Sequence, residues 1–214
     1  MPTYTFNTGN VARRGFVAEV QYATADAIRH EPMLFQCSRE FAEAHGGPLT
    51  RACLRRLPYE HVRIDTRSHM LMPGQYPCIP GWHCDFKQVA PDGTQVHDED
   101  TDASTRHLLC TSPGAPTDFL LDRDVEVSVP RLTWGEVDRY VCRAEPACAS
   151  YEPGTLIEFD ANELHRGSPH TGEPCHWRYF FRATQFAPGD PRRGAYANEI
   201  RTQVQVYCDV HAGW

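Results

Sequence analysis

Apolar and polar residues alternate over short runs through most of the chain, and Pro and Gly separate the runs. From about residue 62, the stretches "HVRIDTRSHMLM", "RHLLCTS", "TDFLLD", "VEVSV", "GTLIEF", "WRYFFRATQF" and "TQVQVYCDV" are rich in β-branched and aromatic residues and read as strands. Three stretches read as helices instead. "SREFAEAHGG" opens on a capping serine, Ser38, and stops at Gly46-Gly47. "PLTRACLRRLP" forms a second short helix ended by Pro58, and "TWGEVDRYVCRA" carries Thr133 and Glu136 at capping-box spacing. Many short strands with turns between them predict a mainly β fold of the sandwich or jelly-roll kind, with helices added on the N-terminal side.

One segment breaks the pattern. Residues 90–106, "APDGTQVHDEDTDASTR", are polar, acidic and aperiodic, which predicts a long loop serving as a lid or a disordered flap. The expected organisation is a single domain. Residues 1–61 form a mixed helical elaboration, 62–187 the β core, and 188–214 a C-terminal extension with a possible strand.

Composition narrows the function classes. The 214 residues suffice for one sizeable core, and 41% apolar with 23% charged residues is an ordinary globular balance. A net charge of -7 without a basic stripe disfavours nucleic acid or an anionic membrane as partner. The N-terminus "MPTYTFNTGNVARRGF" has no apolar signal-peptide run and no window approaches a membrane span, so a cytoplasmic location is expected. The nine cysteines include no C-x-x-C pair, which argues against structural zinc and for reduced thiols, most of them in the core.

The candidate chemistry starts at "IPGWHCDF", residues 79–86. In a strand, positions i and i+2 share a face, so His83 and Asp85 project together while Cys84 turns away. An imidazole and a carboxylate side by side are two ligands for a divalent metal. His97-x-Glu99 has the same spacing, but it lies in the acidic loop without the apolar neighbours that hold a geometry. His83 follows Pro80, Gly81 and Trp82 and precedes Phe86, as at a strand edge anchored in a core. Further along, "GTLIEF" leads through a turn to His165, and His170 and His176 border the next turn. In "WRYFFRATQF" alternation places Arg178, Phe180 and Arg182 on one face and Trp177, Tyr179 and Phe181 on the other. A guanidinium there suits bidentate capture of a carboxylate, or an ion pair with Asp160 or Glu158.

Taken in order, "GWHCD", "EPGTLIEFDANELHRG" and "CHWRYFFR" resemble the iron(II)/2-oxoglutarate-dependent dioxygenases over roughly residues 62–187. The resemblance implies a double-stranded β-helix, a cupin-like jelly roll, with flanking N-terminal helices. It implies Fe(II) held by His83, Asp85 and His165, with 2-oxoglutarate and O2 filling the open coordination positions. Arg178 is then the first candidate for the far carboxylate of 2-oxoglutarate. It sits further past the distal histidine than the family's usual spacing, which keeps Arg182 as a competitor. Arg67 and His69 share a face on the preceding strand and, with Tyr76 and Gln75 in the next turn, are further candidates for the co-substrate, or else simply cap a strand at the surface. The carboxylate of Asp85 points to hydroxylation or a related C–H oxidation, since halogenating members lack it. The expected substrate is a small molecule or an amino-acid-like metabolite, with succinate and CO2 released.

Two other readings stay open at this stage. A cupin-type isomerase or keto-acid-independent oxygenase would recruit a further ligand such as His170 or His176. A non-catalytic jelly-roll binding module would leave the histidines as ordinary core residues.

Overall fold

The alternation in Arg63–Leu71 and His176–Gln185 resolves into the longest strand pair of the protein, antiparallel and in continuous register from His176 against Leu71 to Thr184 against Arg63. The computed structural model describes residues 1–85, 87–172, 174–202, 206 and 208. In chain order the elements begin with β1 (Thr3–Phe6), β2 (Ala12–Phe16), α1 (Ala18–Gln21), α2 (Ala25–Arg29), β3 (Met33–Phe35), α3 (Arg39–His45) and α4 (Pro48–Leu54). Next come β4 (Arg63–Leu71), β5 (Gln88–Val89), β6 (Gln95–Val96), α5 (Glu99–Ser104), β7 (Arg106–Thr111), β8 (Thr117–Leu120) and β9 (Val125–Ser128). The chain continues with α6 (Trp134–Arg143), β10 (Cys148–Ser150), β11 (Thr155–Asp160), β12 (His165–Gly167), β13 (His176–Gln185) and β14 (Glu199–Arg201).

The fold is mainly β, and its strand pairs are antiparallel. A major sheet runs in the order β2-β11-β7-β13-β4, and a smaller one in the order β10-β8-β12. Period-two patterning gives the major sheet two apolar faces. On one face Leu108, Cys110, Tyr179 and Phe181 pack with Leu49, Ala52 and Leu54 of α4 and with Val17, Val20 and Ile28. On the other, Leu109, Ile157 and Phe159 meet Phe119 of the smaller sheet, whose ring centroid lies 5.1 Å from that of Phe159. The candidate site lies in this second interval, between the sheets.

The predicted helices form where their caps stand. Ser38 Oγ accepts from the Phe41 N–H at 3.2 Å, and Thr133 Oγ1 from the Glu136 N–H at 3.4 Å. Helix α4 ends at Leu54, four residues ahead of Pro58. Its N-terminus is held by the buried Glu31 carboxylate, which accepts from the Leu49 and Thr50 N–H groups at 3.2 and 2.8 Å.

Several expectations need correction. Residues 90–106 are not a structureless loop: they contain the β5–β6 hairpin turn and α5. The segment is tied down by Lys87, whose fully buried ammonium donates to Asp102 and, at 2.9 Å, to Asn162 Oδ1, with His97 Nδ1 3.0 Å away. His97 also packs its ring on Phe6 of β1 at 4.8 Å, so it has an apolar neighbour from outside the loop. The N-terminal third holds four short helices besides its strands, of which β2 is an edge strand of the major sheet and β1 pairs with β9. In the C-terminal extension β14 pairs with β3, while Phe86 and most of the "TQVQVYCDV" strand lie outside the described residues. Of the nine cysteines only Cys37, Cys53, Cys84 and Cys110 are buried, and all are free thiols. No helix among the described residues is long and apolar enough to cross a membrane.

Candidate metal centre

His83 and His165 face each other in an isolated antiparallel bridge, each backbone N–H donating to the other's carbonyl at 3.0 Å. Residues paired in this way carry their side chains on one face. The two rings accordingly lie 4.5 Å apart, centroid to centroid. Each ring has the same local partner, the carbonyl two residues back: His83 Nδ1 lies 2.8 Å from Gly81 O, and His165 Nδ1 lies 3.0 Å from Glu163 O. The tautomer that donates from Nδ1 satisfies both carbonyls and makes each Nε2 the lone-pair atom of its ring, the form that can ligate a cation.

Asp85 completes the cluster. Its Oδ2 is 3.5 Å from His165 Nε2, and one ligand atom from each of His83, Asp85 and His165 lies within 4.8 Å of the others. The local chain is a bridge and turn rather than a regular strand, yet the expected alternation holds. Trp82 and Cys84 point the other way, into an apolar cluster with Leu132, Val137, Val141 and Leu164. Two imidazoles and one carboxylate, all nearly buried, fit a divalent first-row metal and leave coordination positions for small ligands.

The electrostatics suit a cation. Burial, with His165 close by, pushes the His83 imidazole down to about 4, so it is neutral and able to ligate at neutral pH. Burial alone raises the Asp85 carboxyl, but Arg182 and the histidines override it and hold it well below the usual carboxylate range. Arg182 donates through Nη1 to Asp85 Oδ2, and its Nη2 lies 3.4 Å from Asp65 Oδ2. Asp65 faces Arg182 directly in the β4–β13 register. The ion pairs thus link Arg182 to Asp65 and Asp85, and not to the Asp160 or Glu158 considered from sequence. Glu158 bonds Arg14 and Tyr59, and Asp160 faces Arg106.

Arg178 is in the opposite condition. Its side chain is fully buried, and among the described residues Nε, Nη1 and Nη2 have no hydrogen-bond partner. Burial brings the guanidinium down to about 10, still charged at neutral pH. Its cross-strand partner is His69, equally buried, with neither ring nitrogen bonded. Five polar nitrogens without partners among the described residues therefore collect in one buried spot, where each would ordinarily cost stability.

A cavity of about 600 Å³, measured to its open mouth, opens on the metal-ligand cluster, and its lining does not include Arg178 or His69. His83, Asp85 and His165 line it together with Arg182, Phe180 and Arg67, and its apolar wall includes Ile79, Leu109 and Phe159. Of the residues expected from sequence, Tyr76 is half-buried and is not part of this lining. Gln75 Oε1 accepts from the Met72 N–H within its own turn. His170 and His176 stack on each other at 5.7 Å and direct Nε2 to the carbonyls of Pro174 and Pro113, apart from the cluster. Asp65, Cys78, Thr117 and Phe159 were not singled out from sequence. Only Asp65 left a signal there, since it shares the alternating face of Arg67 and His69.

No protein-family model matches the chain, and no curated protein sequence does either. Solved structures resemble it at low identity. The crystal structure of AviO1 from Streptomyces viridochromogenes Tue57 aligns at 14% identity and TM-score 0.44, over 87% of this chain and 93% of that one. CytC3 with Fe(II) and alpha-ketoglutarate aligns at 14% identity and TM-score 0.35, over 74% and 62%. EvdMO1 aligns at 17% identity and TM-score 0.32 over 58% of this chain, which spans 26% of that protein's length. Every one of these TM-scores lies below 0.5, so the chemistry is read from the chain's own side chains: a His83, Asp85, His165 cluster able to hold a metal, and on β13 a buried Arg178 cation with no hydrogen-bond partner among the described residues.

Proposed function

We propose that the protein is an iron(II)- and 2-oxoglutarate-dependent oxygenase, with a double-stranded β-helix core within residues 62–187 of a single domain. The observation that carries this reading is the pairing of two features in one interval between sheets. One is a metal-ligand cluster of two histidines and an aspartate, and the other is a set of buried, unpartnered nitrogens on Arg178 and His69. A buried cation without an anion is costly, and a ligand carboxylate removes that cost.

In this reading His83, Asp85 and His165 hold Fe(II), and Arg178, with His69 beside it, takes the far carboxylate of 2-oxoglutarate. Arg182 is a positioning residue that keeps Asp85 ionised and aimed at the metal. When bound, the iron and the keto acid supply O2 activation coupled to decarboxylation, giving succinate, CO2 and an oxidised C–H bond on a small-molecule substrate. The protein's own residues bind the far carboxylate, orient the imidazoles through Gly81 and Glu163, and give the cavity an apolar wall of Phe159, Leu109 and Ile79 that disfavours water. No further histidine among the described residues joins the cluster, which favours this reading over a cupin-type site with more ligands.

Anaerobic reconstitution with Fe(II) tests it. Addition of 2-oxoglutarate is expected to produce a visible charge-transfer band in the wild type, absent in His83→Ala and His165→Ala. Arg178→Met is expected to need far more 2-oxoglutarate for the same band. Iron-reconstituted wild type without any band at saturating 2-oxoglutarate overturns the proposal.

A further inference from the structure

Three cross-strand pairs stand side by side on the cavity face of β4 and β13: Asp65 with Arg182, Arg67 with Phe180, and His69 with Arg178. The three guanidinium groups surround one ring, their carbons 5.7, 5.7 and 5.8 Å from the Phe180 centroid for Arg67, Arg182 and Arg178. Their circumstances differ. Arg182 is matched by Asp65 and Asp85, and Arg178 is fully buried. Arg67 is half-buried, lines the cavity, and has neither an ion pair nor a hydrogen-bond acceptor for its guanidinium among the described residues.

Charge balance then says what the cavity lacks. Resting on the function proposed above, a divalent ion and the doubly negative 2-oxoglutarate cancel each other. Asp65 and Asp85 cancel Arg182 and one of the two remaining arginines. One positive charge is left over, and the guanidinium still open to the cavity is that of Arg67. Leaving such a charge uncompensated among Ile79, Leu109 and Phe159 is unfavourable. We propose that the oxidised substrate is an organic monoanion whose carboxylate is gripped by Arg67 while its apolar body lies against Phe159, Leu109 and Ile79. A single residual charge favours a carboxylate over a phosphate dianion. The planar guanidinium offers two parallel N–H donors to it.

The test uses the whole protein loaded with Zn(II) and 2-oxoglutarate, and 4-fluorobenzoate and 4-fluorobenzamide as probes read by fluorine NMR line broadening. In the wild type the benzoate is expected to saturate at a concentration about tenfold lower than the amide. Arg67→Met should erase that preference, Arg67→Lys should restore part of it, and calorimetry should give all three proteins the same 2-oxoglutarate affinity within about twofold. A benzoate preference that survives in Arg67→Met overturns the inference. So does a loss of 2-oxoglutarate affinity in Arg67→Met, which would make Arg67 a second arm for the co-substrate and leave the oxygenase reading standing. If 2-oxoglutarate fails to bind even the wild type, the oxygenase reading falls. The same probe titration on the metal-free protein then decides for or against an anion site at Arg67.

Discussion

Arg182 and Asp85 fix each other: the guanidinium that donates to Asp85 Oδ2 is itself anchored by Asp65, its neighbour across the β4–β13 register. Replacing it with Arg182→Met leaves two nearly buried carboxylates without a cation. The variant is expected to lose about 3–5 kcal/mol of stability in urea titrations, the usual result of breaking a buried pair from one side. Its metal affinity, measured by competition with a chelator, is expected to fall by about 10–100-fold, as for other groups that orient a ligand.

Arg178→Met is expected to move stability the other way. The wild-type guanidinium is buried with no partner, so removing it relieves an uncompensated charge and should stabilise the ligand-free protein by about 1–3 kcal/mol. Thermal melts read both sides of this trade. Wild type should gain thermal stability on adding metal with 2-oxoglutarate, and Arg178→Met should start higher and gain little. A variant less stable than wild type without ligand would contradict the description of Arg178 as an unsatisfied cation.

Acid should weaken the fold through His69. Burial, with Arg178 and Arg67 nearby, brings its imidazole down to about 2 from an ordinary 6.5. Above pH 6.5 the ring is neutral in both folded and unfolded chains, and its contribution is fully present. As pH falls from 6.5 towards 2, the unfolded chain takes up a proton that the folded one refuses, and stability drops by about 1.4 kcal/mol per pH unit. Unfolding free energies from urea titrations between pH 6.5 and 4.5 are expected to fall less steeply in His69→Leu by about that slope.

The Lys87–Asp102 pair is expected to behave as the anchor of residues 88–105. Lys87→Met leaves Asp102 buried beside Asn162 without its cation and should cost about 3–5 kcal/mol. Amide hydrogen exchange should accelerate in 88–105 before the β4–β13 pair is affected. Pairing Lys87→Met with Asp102→Leu should recover much of the loss.

Much of this architecture was legible because it is written in local patterns. Alternation marked β4, β7, β11 and β13 and correctly divided β13 into a face with Arg178, Phe180 and Arg182 and a face with Tyr179 and Phe181. The same period brought His83 and Asp85 together, and capping residues placed α3 and α6. What depends on distant register was not legible. The partner of Arg182 was sought in Asp160 and Glu158, which lie closer along the chain, whereas sheet pairing sets Asp65 opposite. Strand β2 escaped notice because its residues are largely exposed at a sheet edge and show no alternation. The acidic composition of 90–106 concealed a segment whose fixed points, Lys87 and Asp102, are isolated charges that look solvated until their burial is known.

The reciprocal backbone bonds between His83 and His165 also bear on kinetics. With each imidazole tied to a carbonyl of its own segment, neither can swing aside alone. Turning either imidazole away from a bound cation breaks its bond to a carbonyl of its own segment, so parting of the two main-chain segments eases release. Metal exchange should therefore be slow, governed by local opening at that bridge and speeded by whatever loosens the smaller sheet.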